Sequence, residues 1–146
     1  MGKLRAAARA AAGQAYAPYS RFRVGAAILA DSGEIYSGCN VENASYGLSN
    51  CAERTAIFSA IAAGEQKLKI RCVVVYTPTK MAAAPCGACR QVINEFGPHA
   101  RVISFCQSAD TIDTSLDALL PGAFGPDDLK QLIPKTATPR ASLLLL

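Results

Sequence analysis

The sequence predicts a layered α/β domain, with a three-layer α/β/α arrangement and a mixed sheet of about five strands. Three observations lead to this prediction. The 146 residues are enough to bury one hydrophobic core of ordinary size. Segments with helix and strand periodicity alternate along the chain. One of them, Ile70–Tyr76, is apolar on both faces from Cys72 onward, which is typical of a central strand.

The first part of the chain is predicted to form a helix followed by a β-hairpin. The helix has an apolar stripe at helical spacing, formed by Leu4, Ala8, Ala11 and Ala15. The hairpin pairs an apolar strand over 22–30 with a return strand over 34–39. Asp31, Ser32 and Gly33 supply the turn between them.

Two further helices are predicted, each with a clear end signal. After a polar loop over 40–50, the first runs from Ala52 to Gly64. The second starts at Pro85 and closes at Gly97. Their apolar stripes are Ile57, Ala60 and Ile61 in one, and Val92, Ile93 and Phe96 in the other.

The last part of the chain is predicted to hold a strand over 102–106, an edge strand over 112–116 and a short helix from Asp127. Residues 134–146 have neither caps nor periodicity. We therefore expect a single domain over 1–133, followed by a C-terminal tail that is either docked or disordered.

Charge and hydropathy exclude several classes of protein. The net charge is +4, and five basic residues without an acid lie in the first 30 positions: Lys3, Arg5, Arg9, Arg21 and Arg23. Because the rest of the chain is nearly neutral, no nucleic-acid surface is expected. No apolar stretch reaches the ~18 residues that a membrane span requires. Only 18% of residues are charged, which indicates that a partner covers part of the surface.

The cysteines and the N-terminal segment indicate where in the cell the protein is expected. Six cysteines without a secretory signal are expected to be thiols rather than disulfides. The Ala- and Arg-rich start is compatible with an organelle transit peptide, although an ordinary first helix explains it equally well. We therefore expect a cytoplasmic protein.

Two thiols, Cys86 and Cys89, lie at the head of a predicted helix, where the positive end of the helix dipole favours thiolates. Positions 86, 89 and 93 fall on one helical face, so both sulfurs are expected to point toward the core. Taken alone, this pair has three interpretations: half of a structural zinc site, a redox pair, or chance.

A third thiol, Cys51, lies at the start of the other helix, and Glu53 occupies that helix's buried stripe. An acid rarely lies on a buried face. If Cys51 precedes the first helical turn, three thiolates and one acid converge on one site. Three protein ligands with an open fourth position are typical of catalytic zinc. Arg54 is either a hydrogen-bond donor to the sulfurs or a solvated helix residue.

These motifs resemble the zinc-dependent cytidine deaminases of the small, homotetrameric, three-cysteine type. Cys-Ala-Glu at 51–53 followed by Pro-Cys-Gly-Ala-Cys at 85–89 is similar to the zinc signature of that family. The resemblance extends over about residues 16–131. It includes five segments in order, at 17–20, 22–26, 40–46, 51–56 and 119–126.

The resemblance implies a role for each matching residue. Cys51, Cys86 and Cys89 match the ligands of one Zn²⁺ per chain, and Glu53 matches the proton shuttle. The remaining positions match substrate-binding residues: Asn40 and Glu42 at the ribose 3′-hydroxyl, Phe22 and the backbone of Ala52 at the pyrimidine, and Tyr46 and Phe124 reaching into a neighbouring subunit's site. The alanine-rich first helix and the tail are not explained by the resemblance.

The implied function is hydrolytic deamination of cytidine and 2′-deoxycytidine in pyrimidine salvage, by attack of zinc-bound hydroxide at C4. Two alternatives remain. A related deaminase of a cytosine nucleoside antibiotic is disfavoured by the ribose motif at 40–43. A structural-zinc binding module needs a fourth ligand, from Cys39, Cys72, Cys106 or His99, and leaves Glu53 without a role. A polynucleotide substrate needs a basic channel, and it is disfavoured by the near-neutral charge of residues 31–146 and by a cysteine, instead of a histidine, at position 51.

Overall fold

The computed structural model describes residues 1–130, which form a five-stranded mixed sheet with helices on both faces. The strands are β1 Gly25–Ala30, β2 Ile35–Cys39, β3 Ile70–Tyr76, β4 Arg101–Phe105 and β5 Thr111–Ser115. The helices are α1 Gly2–Ala12, α2 Ala52–Ala62, α3 Gly87–Phe96, α4 Leu116–Leu119 and α5 Pro126–Lys130, and a 3-10 turn spans Tyr46–Leu48. The predicted α/β class is confirmed. The predicted domain end at 133 and the tail over 134–146 lie outside the described residues.

The order of the strands brings the starts of two helices together. The sheet order is β2-β1-β3-β4-β5, so β3 is the central strand, as its two apolar faces predicted. Strand β1 is antiparallel to both β2 and β3. Strands β2 and β3 therefore run in the same direction and end at the same edge of the sheet. Helix α2 follows β2 and α3 follows β3, so both helices begin at that edge, where α/β proteins commonly bind ligands.

The sheet is covered on both faces because alternate residues of its strands point in opposite directions. Val73 and Val75 of β3 pack with Ile57 of α2 and Ile93 of α3. Val74, between them, packs on the opposite face in the cluster that contains Leu4, Ala8 and Ala12 of α1. The buried stripe of α1 therefore includes Ala12, where the sequence analysis predicted Ala11.

Glycine at position 38 permits the close approach of α2 to β2. A Cβ atom there would collide with backbone atoms of α2, including the carbonyl oxygen of Ala52 and the amide nitrogen of Ala56. Any larger residue would push the first turn of α2 away from the sheet. Gly38 thus helps to set the position of the helix start that carries Cys51.

Several element boundaries differ from the predictions. The strand predicted over 22–30 begins only at Gly25, because the backbone of Phe22 is hydrogen-bonded to side chains instead of to a neighbouring strand. The helix predicted from Pro85 begins at Gly87. The short helix α4 was not predicted, and it takes Leu116 from the strand assigned to 112–116. No helix within residues 1–130 combines the length and the apolarity that crossing a membrane requires.

Candidate active site

Three cysteine sulfurs converge where α2 and α3 begin. Cys51 is the N-cap residue of α2 and Cys86 that of α3, both with extended backbone, while Cys89 lies in the first turn of α3. The three Sγ atoms lie within 4.8 Å of one another. Within residues 1–130, no other group of three His, Cys, Asp or Glu side chains lies this close together.

The position of Cys86 corrects one expectation. The helical spacing predicted that both sulfurs of the Cys-x-x-Cys pair point toward the core, but only Cys89 is buried and Cys86 is exposed. The reason is that Cys86 precedes the helix, so the helical face that relates positions 89 and 93 does not extend to it. Cys51 lies before the first turn of α2, which is the condition that convergence required.

The geometry of the cluster fits one zinc ion. Tetrahedral zinc with Zn–S bonds of about 2.3 Å holds two sulfurs about 3.8 Å apart, and Cys51 Sγ lies 3.8 Å from Cys86 Sγ. Both helix starts also direct the positive end of a helix dipole toward the sulfurs, which favours thiolates. The fourth ligand that a structural site needs is absent from the described residues around this cluster.

Hydrogen bonds within the cluster and with Arg54 shift the pKa values of the cysteine thiols. Hydrogen bonding with Cys89, assisted by the guanidinium of Arg54, lowers the pKa of Cys51 to about 5. The same hydrogen bond, together with burial, raises the pKa of Cys89. One proton is thus retained between two thiols, and a divalent cation would displace it. The site therefore suits a cation.

Arg54 lies beside the sulfurs as well as beside Glu53 in sequence. Its Nη2 donates a hydrogen bond to Cys51 Sγ at 3.5 Å. Its Nε is buried without a hydrogen-bond partner among the described residues. Three thiolates around one Zn²⁺ leave a formal charge of −1, and a guanidinium in this position offsets it.

Glu53 is buried at 4% exposure on the face of α2 that its periodicity predicted. Burial raises the pKa of its carboxyl group, and the Cys51 thiolate acts in the same direction. Glu53 therefore retains a proton to a higher pH than an exposed glutamate does. Such a group can therefore donate a proton as well as accept one up to a higher pH than an exposed glutamate can.

A cavity of about 170 Å³ is lined by this acid and by two of the three cysteines. Its walls carry Cys51, Cys86, Glu53 and Ala52, and Phe22 lines it from the chain before β1. The remaining lining residues are apolar or small: Val24, Val75, Thr77, Ala83 and Ala84, together with Asn40. The cavity is therefore a mainly apolar pocket with one acid and two thiols in its wall.

A second cavity, of about 350 Å³, adjoins the first, since Asn40 and Cys51 line both. It is more polar and contains Glu42 and Tyr46, with Tyr19, Ser20, Ser49 and Asn50. The Tyr46 side chain is 75% exposed, and its ring centroid lies 5.9 Å from that of Tyr19. The two cavities together form a site with an acid and thiols at one end and a second carboxylate at the other.

Glu42 is held by three donors from one turn of the chain. Its Oε2 accepts the N–H groups of Tyr19 at 2.9 Å and Ser20 at 3.2 Å, and its Oε1 accepts the Ser20 hydroxyl. The Ser20 hydroxyl is the main cause that lowers the pKa of Glu42. The carboxylate is therefore ionised at neutral pH and can accept a further hydrogen bond from a hydroxyl group.

Asn40 makes hydrogen bonds with both ends of its amide. Its Oδ1 accepts the N–H of Val24 at 2.8 Å, and its Nδ2 donates to the carbonyl oxygen of Phe22 at 2.8 Å. One amide hydrogen and one lone pair remain for a ligand. Asn40 therefore holds Phe22 at the cavity wall in addition to facing the cavity itself.

Phe124 is the one predicted substrate-binding residue that lines neither cavity. It is 59% exposed. Its carbonyl oxygen accepts hydrogen bonds from the side chains of Gln91 at 2.9 Å and Asn94 at 3.2 Å. The backbone of Phe124 is thus fixed to α3 while the residue stays largely exposed.

Two side chains that hold the cysteine-bearing backbone in place, Thr55 and Arg90, were not predicted from the sequence. Thr55 Oγ1 donates to the carbonyl oxygen of Cys51 at 3.1 Å and accepts from Asn50 at 3.0 Å. Arg90 donates to the carbonyl oxygens of Pro85 at 2.7 Å and Leu119 at 3.0 Å. The contact from Arg90 to Leu119 spans 29 positions, so no local pattern could have indicated it, whereas the contacts of Thr55 and the one from Arg90 to Pro85 join residues only four or five positions apart.

The other cysteines and the single histidine lie apart from the cluster. Cys72 lies within β3 and Cys106 directly after β4, both buried, while Cys39 ends β2. The side chain of His99 is 84% exposed and lies 3.7 Å from Asp117. None of these four belongs to a group that could hold a metal among the described residues, so the structural-zinc alternative is not favoured.

Comparisons with known proteins agree with this geometry. The family described as "Cytidine and deoxycytidylate deaminase zinc-binding region" matches residues 2–106. The chain is 48% identical over 128 residues to the cytidine deaminase of Sporosarcina psychrophila, covering 87% of this chain and 93% of the relative. It is 45% identical over 127 residues to the cytidine deaminase of Mycobacterium tuberculosis strain H37Rv, covering 86% of this chain and 90% of the relative.

Solved structures show the same likeness. The crystal structure of cytidine deaminase from Burkholderia pseudomallei superposes with a TM-score of 0.78 at 50% identity, covering 84% of this chain and 98% of that one. The structure from Mycobacterium tuberculosis superposes with a TM-score of 0.72 at 39% identity, covering 85% and 96%. With its cluster of three thiols on two helix starts, the chain belongs to the zinc-binding cytidine and deoxycytidylate deaminase family.

Proposed function

We propose that this chain catalyses the hydrolytic deamination of cytidine and 2′-deoxycytidine to uridine and 2′-deoxyuridine, with release of ammonia. The observation that carries the proposal is the arrangement at the starts of α2 and α3. There, three sulfurs lie within 4.8 Å of one another, and Cys51, Cys86 and the buried carboxyl of Glu53 border one cavity of about 170 Å³. Relatives that are 45–48% identical over most of the chain carry the name cytidine deaminase.

Cys51, Cys86 and Cys89 are proposed to hold one Zn²⁺, with a fourth position open toward the cavity. When bound, zinc lowers the pKa of a coordinated water molecule to near neutrality, which is the chemistry that hydrolysis requires. The Arg54 guanidinium, 3.5 Å from Cys51 Sγ, reduces the electron density that the sulfurs supply. It thereby offsets the formal charge of the three thiolates.

Glu53 is proposed to move the protons of the reaction. Water and cytidine give uridine and ammonia, so one proton must reach ring nitrogen N3 and another must reach the departing amino group. A single buried carboxyl with a raised pKa can accept a proton from water and deliver it to either nitrogen. Glu53 is the acid that borders the inner cavity beside Cys51 and Cys86.

The two parts of the nucleoside are proposed to bind in different cavities. The pyrimidine is proposed to enter the inner cavity between Phe22 and the backbone of Ala52, and the sugar the outer one. There the ionised Glu42 and the free amide hydrogen of Asn40 would bind the 3′-hydroxyl. This contact involves the 3′ position, so both cytidine and its 2′-deoxy form are expected to bind.

A homotetramer is proposed as the active assembly. The exposed rings of Tyr46 and Phe124, and a charged fraction of only 18%, support coverage of this surface by other copies. A nucleoside is proposed as the only ligand class besides zinc, with no nucleic acid or membrane as partner. Three thiolate ligands suit a reducing compartment, so a cytoplasmic role in pyrimidine salvage is proposed.

The experiment is to incubate purified protein with cytidine and with 2′-deoxycytidine and to follow the loss of cytidine absorbance, with products separated by chromatography. Equal amounts of uracil nucleoside and ammonia are expected from each substrate. Free cytosine, which lacks the sugar that Glu42 and Asn40 would bind, serves as the control and should react far more slowly. Absence of any turnover in zinc-replete protein would overturn the proposal.

A further inference from the structure

The hydroxyl group of Ser20 connects the two cavities of the site. It donates a hydrogen bond to Glu42 Oε1, in the outer cavity, and accepts one at 3.0 Å from the N–H of Phe22, which lines the inner cavity. A serine hydroxyl has one hydrogen to donate and lone pairs to accept. It can therefore make both contacts at once, and here it does.

The backbone around Ser20 also contributes hydrogen bonds to Glu42. The N–H groups of Tyr19 and Ser20 both point at Glu42 Oε2. The next residue, Arg21, has φ of 59°, in the left-handed region that residues other than glycine rarely adopt. Its N–H donates to the carbonyl oxygen of Ala17 at 3.0 Å, which closes the turn. Such a conformation persists only when surrounding contacts hold it.

The carboxylate has no other hydrogen-bond donor among the described residues. All three of its hydrogen bonds come from Tyr19 and Ser20, and Ser20 supplies the one donor to Oε1. Without the Ser20 hydroxyl, Glu42 would keep only the two N–H groups on Oε2 and could rotate about them. The carbonyl oxygen of Phe22 would still accept the hydrogen bond from Asn40. The N–H of Phe22 would lose its acceptor, the Ser20 hydroxyl.

We propose that Ser20 is a positioning residue for the sugar of the substrate: its hydroxyl fixes the carboxylate of Glu42 in the orientation that accepts a sugar hydroxyl, and it fixes the backbone of Phe22 beside the base. This inference rests on the proposed nucleoside deaminase activity. Ser20 acts through Glu42 and Phe22 and makes no contact with the reacting atoms.

The proposal makes the effect of Ser20 depend on the substrate. Removing the Ser20 hydroxyl should weaken the contact from Glu42 to the sugar only when the substrate has the hydroxyl that Glu42 binds. 3′-Deoxycytidine lacks it, so only the smaller effect through Phe22 should remain. A residue with a merely structural role would affect both nucleosides by the same factor.

The experiment measures kcat and KM for cytidine and 3′-deoxycytidine with wild-type protein, Ser20→Ala and Ser20→Thr. Ser32→Ala is the matched control. The Ser32 hydroxyl likewise donates to a glutamate, Glu65, at 2.7 Å and accepts the N–H two residues on, at 3.5 Å. It lies in the β1–β2 turn and lines neither cavity. Zinc content and melting temperature are measured for each variant.

Ser20→Ala is expected to lower kcat/KM for cytidine by ~10- to 100-fold, mainly through KM, because a hydrogen bond to a charged group is lost. The loss for 3′-deoxycytidine should be at least ~10 times smaller. Ser20→Thr, which keeps the hydroxyl, should recover most of the cytidine activity, and Ser32→Ala should match wild type. Because Ser20 is exposed, the Ala variant is expected to fold and to retain zinc.

Equal losses on the two nucleosides would overturn the proposal, as would a Thr variant as impaired on cytidine as the Ala variant. The wild-type rate separates this outcome from failure of the proposed function. If wild-type protein with zinc does not deaminate cytidine, the activity itself is wrong. If it does and the losses are equal, only the role of Ser20 is wrong.

Discussion

Replacing Glu53 with Gln removes proton transfer while preserving the shape of the site. Glutamine has nearly the same volume, so the packing around a side chain that is 4% exposed should be retained. It carries no charge, so the cost of burying a carboxylate, which raises the pKa of Glu53, is absent. Stability should therefore be equal to or higher than that of the wild-type protein.

The rate should fall steeply in the same variant. Positioned acids and bases contribute ~10²- to 10⁴-fold to a rate, which corresponds to about 2.7–5.5 kcal/mol of activation free energy. Because Glu53 is proposed to protonate both N3 and the amino group, the loss should lie at or beyond the upper end of that range. The assay is the loss of cytidine absorbance, with bound zinc and melting temperature measured on the same samples.

Glu34→Gln is the matched control, since Glu34 is an exposed acid in the β1–β2 turn and lines neither cavity. Its turnover should equal that of wild type. A Glu53→Gln protein with full zinc content and near-normal kcat would remove Glu53 from the mechanism. A protein that loses its zinc together with its activity would instead give Glu53 a role in holding the metal site.

Three further predictions concern the surroundings of the site. Arg54→Ala should lower zinc affinity or kcat by ~10- to 100-fold, because the sulfurs lose their cationic neighbour; unchanged zinc affinity in a metal-competition assay, together with unchanged kcat, would show that the guanidinium is not needed to offset the charge of the sulfurs. Phe124→Ala should raise KM for cytidine by ~5- to 150-fold if the ring stacks on a base in another copy's site; an unaltered KM, or full activity in a monomer by analytical ultracentrifugation, would contradict that. Gly38→Ala should lower the free energy of unfolding by about 1–3 kcal/mol, because its Cβ collides with α2. In the same denaturation experiment Gly2→Ala, whose Cβ meets nothing within 4 Å, should be neutral.

The sequence predicted those parts of the fold that depend on local patterns. Strand β3 has the predicted bounds Ile70–Tyr76, because a run that is apolar on both faces can only be buried in the middle of a sheet. The strand before the hairpin was predicted three residues too long at its start. Phe22 is as apolar as a strand residue, but Ser20 and Asn40 take its backbone hydrogen bonds.

The site shows the same division between local and long-range information. The burial of Glu53 followed from its helical spacing with Ile57. The exposure of Cys86 did not, since it depends on where the helix begins. The hydrogen bonds from Ser20 to Glu42 span 22 positions, and the residue between Ser20 and Phe22 is left-handed. No periodicity indicates such a contact. The motif at 17–20 therefore predicted that this segment belongs to the site, but it did not predict what Ser20 does there.

The most direct measurement is cytidine turnover as a function of zinc bound per chain. Protein stripped of metal by a chelator should be inactive, and its rate should rise in proportion to zinc until one ion is bound per chain. Cys86→Ser should lose both zinc and turnover, whereas Cys72→Ser, in the central strand, should keep both. Full turnover in stripped protein, or full zinc and turnover in Cys86→Ser, would contradict the account of a three-thiolate zinc deaminase.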